Sequence, residues 1–183
     1  MPRRLLIAAL FIWCTAIVAT PILTSYGGTA ANAAELSYRI FSRVCHQFDS
    51  RSFHIGEYKF AVCIRCTMIY ASFLLGVLFY PAVVRTRITS VTPGILLGVS
   101  LVPMGLDVLL AMFGIHESTV ATRMATGLLF GSALSVVLLP ALEEVVGEFL
   151  AWAVGRVGVF HLRPHQQLRK SYPSLTVENE TDQ

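Results

Sequence analysis

From Leu5 to Leu23 the chain carries no charged residue, and three further long apolar runs follow it with almost none. No other feature constrains the fold as strongly. At about 1.5 Å per residue, a helix of roughly 20 apolar residues crosses a hydrocarbon layer of about 30 Å. Lipid offers no hydrogen bonds to the backbone, so such runs must satisfy themselves as helices. Of the 183 residues, 55% are hydrophobic and 14% charged, against about a quarter charged in soluble domains. The sequence therefore predicts an all-α integral membrane bundle of about four transmembrane helices, with a Cys/His-rich loop between helices 1 and 2.

Arg3 and Arg4 precede the first run, and residues 1–25 read as the first transmembrane helix. Small residues around Ala31-Asn32-Ala33 also fit a signal peptide loosely. The apolar stretch is long for a signal, which favours an uncleaved helix acting as an anchor. The second span runs from about Val62 to Val84 and is uncharged after Arg65. The third runs from about Val91 to Ile115 and contains Pro93, Pro103 and Asp107. The turn His116-Glu117-Ser118-Thr119 leads into the fourth, which ends near Leu142; Ser118 or Thr119 suits its N-cap. Residues 26–142 thus hold the loop and three spans. Glu143, Glu144 and Glu148 then break the apolar pattern. Residues 143–162, with Arg156 among them, read as an amphipathic interfacial helix or as an extension of the fourth span. Residues 163–183 read as a disordered polar tail.

Four crossings leave both termini on one side of the bilayer. Arg3, Arg4, Arg85, Arg87, Arg163, Arg169 and Lys170 share that side, which makes it the cytoplasmic one and turns the Cys/His loop outward, in a multi-pass protein of the cell membrane. The loop is itself basic, with Arg39, Arg43, Arg51, Lys59 and Arg65. A net charge of +3 gives no reason to expect nucleic acid as a partner. The partner that composition implies is the lipid bilayer. Gly94 with Gly98, and Gly127 with Gly131, stand at a spacing that lets helix backbones approach closely. Packing inside one bundle is the preferred reading, and a homo-oligomer stays open.

The chemistry-bearing residues crowd into the loop: Cys45-His46-Gln47, then Arg51-Ser52-Phe53-His54, then Cys63-Ile64-Arg65-Cys66. Before them, Leu36, Ile40 and Val44 recur every four residues with Arg39 and Arg43 on another face, the pattern of a short interfacial helix. Cys63-x-x-Cys66 opens a helix, where the dipole favours thiolate, and suits either a metal ion or a disulfide. Cys14 lies in an apolar run and packs as a small hydrophobe. The remaining set, Cys45, Cys63 and Cys66, is odd in number, which points to a metal or a reactive thiol. With one histidine, His46 or His54, these cysteines make a four-ligand set suited to zinc, and less well to an iron–sulfur centre. His46 adjoins Cys45 and would point about 100° away from it on a helix; His54 reaches more freely. The haem attachment pattern fails, because Thr67 follows Cys66. Asp107, inside an apolar span, needs a partner, and Arg123 in the next helix is the natural one.

Cys45-His46-Gln47, Arg51-Ser52-Phe53, Gly56 and Cys63-x-Arg65-Cys66-Thr67-x-Ile69-Tyr70 resemble the signature of a prokaryotic membrane-protein family, domain of unknown function 2085. Gly105-Leu106-Asp107, Glu117-Ser118-Thr119, Arg123, Gly127 and Gly131 extend the resemblance, which covers roughly Leu36 to Leu139. The family pattern has Gly where this chain has Val108 and Met68. The resemblance favours His46 as a ligand and implies no particular activity.

Two functions follow as expectations. A loop metal, zinc by its ligands' softness, would be structural if four ligands close it; one open position would let it activate water. Alternatively, Cys63 and Cys66 form the redox pair of a membrane thiol–disulfide oxidoreductase, with Cys45 exchanging into it. Whether the chain is an enzyme stays open between these. A transporter is a weaker third reading, because transport usually needs more helices or an oligomer. Nothing in the sequence resembles a nucleotide-binding loop or a serine triad.

Overall fold

The computed structural model describes residues 2–85, 93–115 and 117–153. Arg87, His116 and everything from residue 154 onward, the polar tail included, lie outside the described residues. Helix α1 (Pro2–Tyr26) is followed by α2 (Gly28–Phe41), a 3-10 turn (Asp49–Arg51), strands β1 (Ser52–Ile55) and β2 (Tyr58–Cys63), and then α3 (Ile64–Arg85), α4 (Pro93–Met112) and α5 (Val120–Ala153). Helices α1, α3, α4 and α5 are each long and apolar enough to cross a membrane. The expected four-span bundle is therefore present. Helix α5 continues without a break past Glu143, Glu144 and Glu148 to Ala153.

The packing is that of a protein dissolved in lipid. Large apolar side chains such as Phe11, Ile12, Phe79, Val99 and Phe113 point outward, while Thr20, Ser72, Ser100, Thr126 and Ser135 are buried. Lipid tails remove the incentive to bury leucine, so small residues take the helix contacts. Helices α3 and α5 make the closest of these. A side chain at Gly127 would lie 2.7 Å from the Arg65 carbonyl oxygen, and one at Gly131 would run into Ile69 and Ser72. The Gly127/Gly131 spacing thus serves packing within the bundle. Gly94 and Gly98 face open space. Between helices, Phe73, Val77 and Leu139 form one buried cluster.

A second cluster, Ile17, Phe41, Cys45, Ala61 and Val62, roots a small lobe on α1. Helix α2 buries Ala34 and Phe41 and turns Leu36 and Ile40 outward, and Val44, in the turn just past its end, points outward too, all three 50–60% exposed. The apolar stripe seen in the sequence therefore faces away from the protein, as an interfacial helix requires. Trp13 meets Phe41 edge-on, with centroids 4.8 Å apart.

The stretch from Ser52 to Cys63, expected as loop running into the second span, is instead an antiparallel hairpin. The span itself starts at Ile64. Gly56, at φ +61°, takes the first central position of the two-residue turn, where primed turns match the twist of paired strands. The register pairs Ile55 with Tyr58 and His54 with Lys59, then slips before Ser52 meets Cys63. Such an irregularity bends a strand and re-aims its side chains, here at the residue that hands over to α3.

Candidate metal centre

Three chain segments converge on one point. Cys45 follows the last turn of α2, Cys63 ends β2, and Cys66 lies in the first turn of α3. Their sulfur atoms all lie within 4.8 Å of one another. Cys45 is buried, the other two are half-buried, and all are free thiols. Cys14 stands apart in α1.

The backbone is shaped around Cys45. The N–H of Cys63 donates to its Sγ at 3.2 Å and the N–H of Gln47 at 3.5 Å. Hydrogen bonds from the Cys63 and Cys66 thiols, and then these N–H groups, hold the Cys45 thiol well below its ordinary pKa against the opposing effect of burial. These hydrogen bonds favour the thiolate form of Cys45.

Gln47 locks this arrangement. It sits at φ +53°, the left-handed region that non-glycine residues rarely occupy. Its Nε2 donates to the Tyr38 carbonyl at 2.8 Å and to the Ala61 carbonyl at 2.7 Å. Its own carbonyl accepts from Lys59 Nζ at 2.8 Å, and Tyr38 Oη donates to the Lys59 carbonyl at 2.5 Å. One side chain therefore ties α2 to β2 directly behind Cys45. The sequence reading passed over Gln47 as a site residue, although it belongs to the Cys45-His46-Gln47 triplet.

The two histidines part company. His46 is exposed, stacks on Phe48 with centroids 5.9 Å apart, and lines a cavity of about 230 Å³ that Cys45, Cys63 and Cys66 also line. His54, on β1, meets Asp49 at 3.3 Å. Among the described residues, neither joins the three sulfurs in one ligand cluster.

Asp107 pairs with Arg65, in the first turn of α3. Arg123, the partner expected from sequence, reaches it through a hydroxyl. Arg123 Nε donates to Ser118 Oγ at 3.2 Å, and Ser118 Oγ donates to Asp107 Oδ2 at 2.8 Å. Arg65, Ser118 and Arg123 all face the cavity. The polar group of the third span is thereby linked to the Cys63-x-x-Cys66 segment through Arg65.

The sequence matches the family described as "Predicted membrane protein (DUF2085)" over residues 45–137, a stretch that begins at Cys45. The chain belongs to the DUF2085 family. Two archaeal relatives are similar to it. An uncharacterized protein of Methanocaldococcus jannaschii is 33% identical over 109 residues, covering 60% of this chain and 70% of that protein. An uncharacterized protein of Methanothermobacter thermautotrophicus is 34% identical over 97 residues, covering 52% of this chain and 85% of that protein. No solved structure matches. The DUF2085 match contains the cysteine trio, the hairpin and the Arg65–Asp107–Ser118–Arg123 network, and leaves out α1 and α2.

Proposed function

We propose that this DUF2085 protein carries a metal ion, zinc before others, held by Cys45, Cys63 and Cys66 and fastening the lobe to the mouth of the bundle. The observation that carries this reading is the convergence of three sulfurs within 4.8 Å. Around tetrahedral zinc, with Zn–S near 2.3 Å, sulfurs stand about 3.8 Å apart. The trio would have to close by about 1 Å at most. The N–H groups directed at Cys45 Sγ supply the outer hydrogen bonds that orient a thiolate ligand. An iron–sulfur cluster ordinarily takes four cysteines, and Cys14 is not in the cluster. Of the histidines, His46 has the better support as fourth ligand, because it shares the cavity with the sulfurs. If water takes that position instead, the site is open and can polarise a bound group. The positive-inside count turns this end of the bundle outward.

One observation favours a second reading. All three sulfurs line the cavity, so a partner thiol could reach them. A Cys63–Cys66 disulfide would then take two electrons and two protons from a dithiol and leave that dithiol oxidised.

Metal content measured against free thiols, on detergent-purified protein that has met no chelator, separates the two. About one zinc per chain, whose removal exposes Cys45, Cys63 and Cys66 to alkylation together, supports the metal site. Absence of metal, with a Cys63–Cys66 disulfide that reduces reversibly, refutes it and supports exchange. A Cys45→Ser variant adds a check. It loses metal on the first reading and accumulates a mixed disulfide on the second.

A further inference from the structure

The cavity beside the cysteines is built from the ends of three membrane helices. Arg65 comes from the first turn of α3, Ser118 from the segment just before α5, Arg123 from the first turn of α5, and Met112 from the end of α4. Arg51, from the 3-10 turn, closes the rim with its guanidinium 5.5 Å from the Phe48 ring centroid. Three guanidiniums therefore border one small space. Only Arg65 has a carboxylate partner, Asp107; among the described residues Arg51 and Arg123 make no ion pair. The N-termini of α3 and α5 add their dipoles with the same sign.

Arg65 and Asp107 neutralise each other, which leaves the guanidiniums of Arg51 and Arg123 bordering the cavity together with two positive helix ends. Arg65 also has a buried Nε–H with no hydrogen-bond partner, an arrangement that costs free energy unless an acceptor arrives.

We infer that this cavity binds a phosphate group, gripped between Arg51 and Arg123 with Arg65 and Ser118 beneath it. Guanidinium forks suit phosphate oxygens because they donate two parallel hydrogen bonds to one tetrahedral group. Helix N-termini favour the same ligand. The inference rests on the arginines and the helix ends rather than on the metal. The phosphate could belong to a soluble molecule or, at the mouth of a membrane bundle, to a lipid headgroup; the two are distinguished experimentally.

The test is equilibrium binding to the full chain, done before and after chelation. In neutral detergent the probe is inorganic phosphate, titrated against sodium chloride at matched ionic strength. In phosphatidylcholine nanodiscs the probe is a rising fraction of phosphatidylglycerol, read by retention of that lipid on the purified protein. Saturable binding of inorganic phosphate, weakened about tenfold or more by both Arg51→Gln and Arg123→Gln, supports a soluble phosphate ligand. Enrichment of phosphatidylglycerol, weakened alike by both variants, supports a lipid headgroup. Absence of saturable binding in both settings overturns the inference. So does binding that Arg51→Gln, at an exposed position with little bearing on folding, leaves within about threefold of wild type. Loss of metal on chelation with phosphate binding intact would leave this inference standing apart from the metal site.

Discussion

Replacing Gln47 with Met tests whether one side chain holds the cysteine centre together. Met has nearly the shape of Gln, and at φ +53° both carry the same backbone strain. The substitution therefore removes little beyond the two hydrogen bonds from Nε2, at 2.8 Å to the Tyr38 carbonyl and 2.7 Å to the Ala61 carbonyl. A neutral hydrogen bond of this kind contributes about 1 kcal/mol net. The loss is about 2 kcal/mol, which raises the population of a locally opened lobe about thirtyfold. Cys45 is buried in the closed state, so its alkylation by a maleimide should follow that population when closing is faster than the reagent. In metal-free protein in detergent, Gln47→Met is expected to speed Cys45 modification about thirtyfold and to leave Cys14 unchanged. A Cys45 rate within about threefold of wild type would refute the idea that Gln47 is the clamp.

Three further outcomes follow from the same geometry. Asp107→Asn leaves Arg65 without its counter-charge and should cost about 3–5 kcal/mol in a denaturant titration, whereas the Arg65→Met, Asp107→Leu double variant should recover most of it; a single-variant cost under about 1 kcal/mol would contradict a buried pair. Gly127→Ala brings a methyl 2.7 Å from the Arg65 carbonyl and should lower stability by about 1–3 kcal/mol, while Gly98→Ala, which meets nothing, should stay within about 0.5 kcal/mol in the same thermal assay. Hydrogen bonds from the Cys63 and Cys66 thiols keep the Cys45 pKa low, so Cys45 has already lost its proton at pH 7. Zinc binding should then release fewer than three protons, none of them from Cys45; calorimetry in buffers of different ionisation enthalpy counts the protons, and a count of three would refute the assignment.

The spans were readable because lipid imposes a single demand, about 20 apolar residues in a row, and the sequence meets it four times. The hairpin was hidden for a related reason. Phe60-Ala61-Val62 merges into the apolar run that follows, so β2 reads as the approach to a span. The available signal was Gly56-Glu57 set between Phe53-His54-Ile55 and Tyr58-Lys59-Phe60, a two-residue turn between strand-like triplets. Cys63 and Cys66 announce themselves by spacing. Cys45 could be added only by counting, since its approach depends on the hairpin folding back against α2. The partner of Asp107 was missed because Arg123 is nearer in sequence. In an up-and-down bundle, the first turn of one span lies level with the last turns of the next. That rule brings Arg65, at the start of α3, to Asp107, toward the end of α4.

The lobe explains why a staple would be placed at this point. From Gly28 to Cys63 it comprises one short helix, a turn and two short strands. Segments below about 40 residues seldom bury enough surface to hold a fold unaided, and they turn to disulfides, metals or a neighbour. This one already borrows Ile17 from α1 to complete its cluster of five buried residues. Its far end runs through β2 into α3, a junction where the strand register slips. A metal ion on Cys45, Cys63 and Cys66 would join the end of α2, the end of β2 and the first turn of α3 at that junction. Arg65, between the two α3-side cysteines, already carries its ion pair across to α4. Closing the sulfurs would therefore fix Arg65, which connects the cysteine segment to the polar network beneath it. On that argument, stripping the metal should loosen Arg65 as well as the lobe, and the cost of Asp107→Asn should shrink in metal-free protein. An unchanged cost would mean that the lobe and the bundle hold their shapes independently.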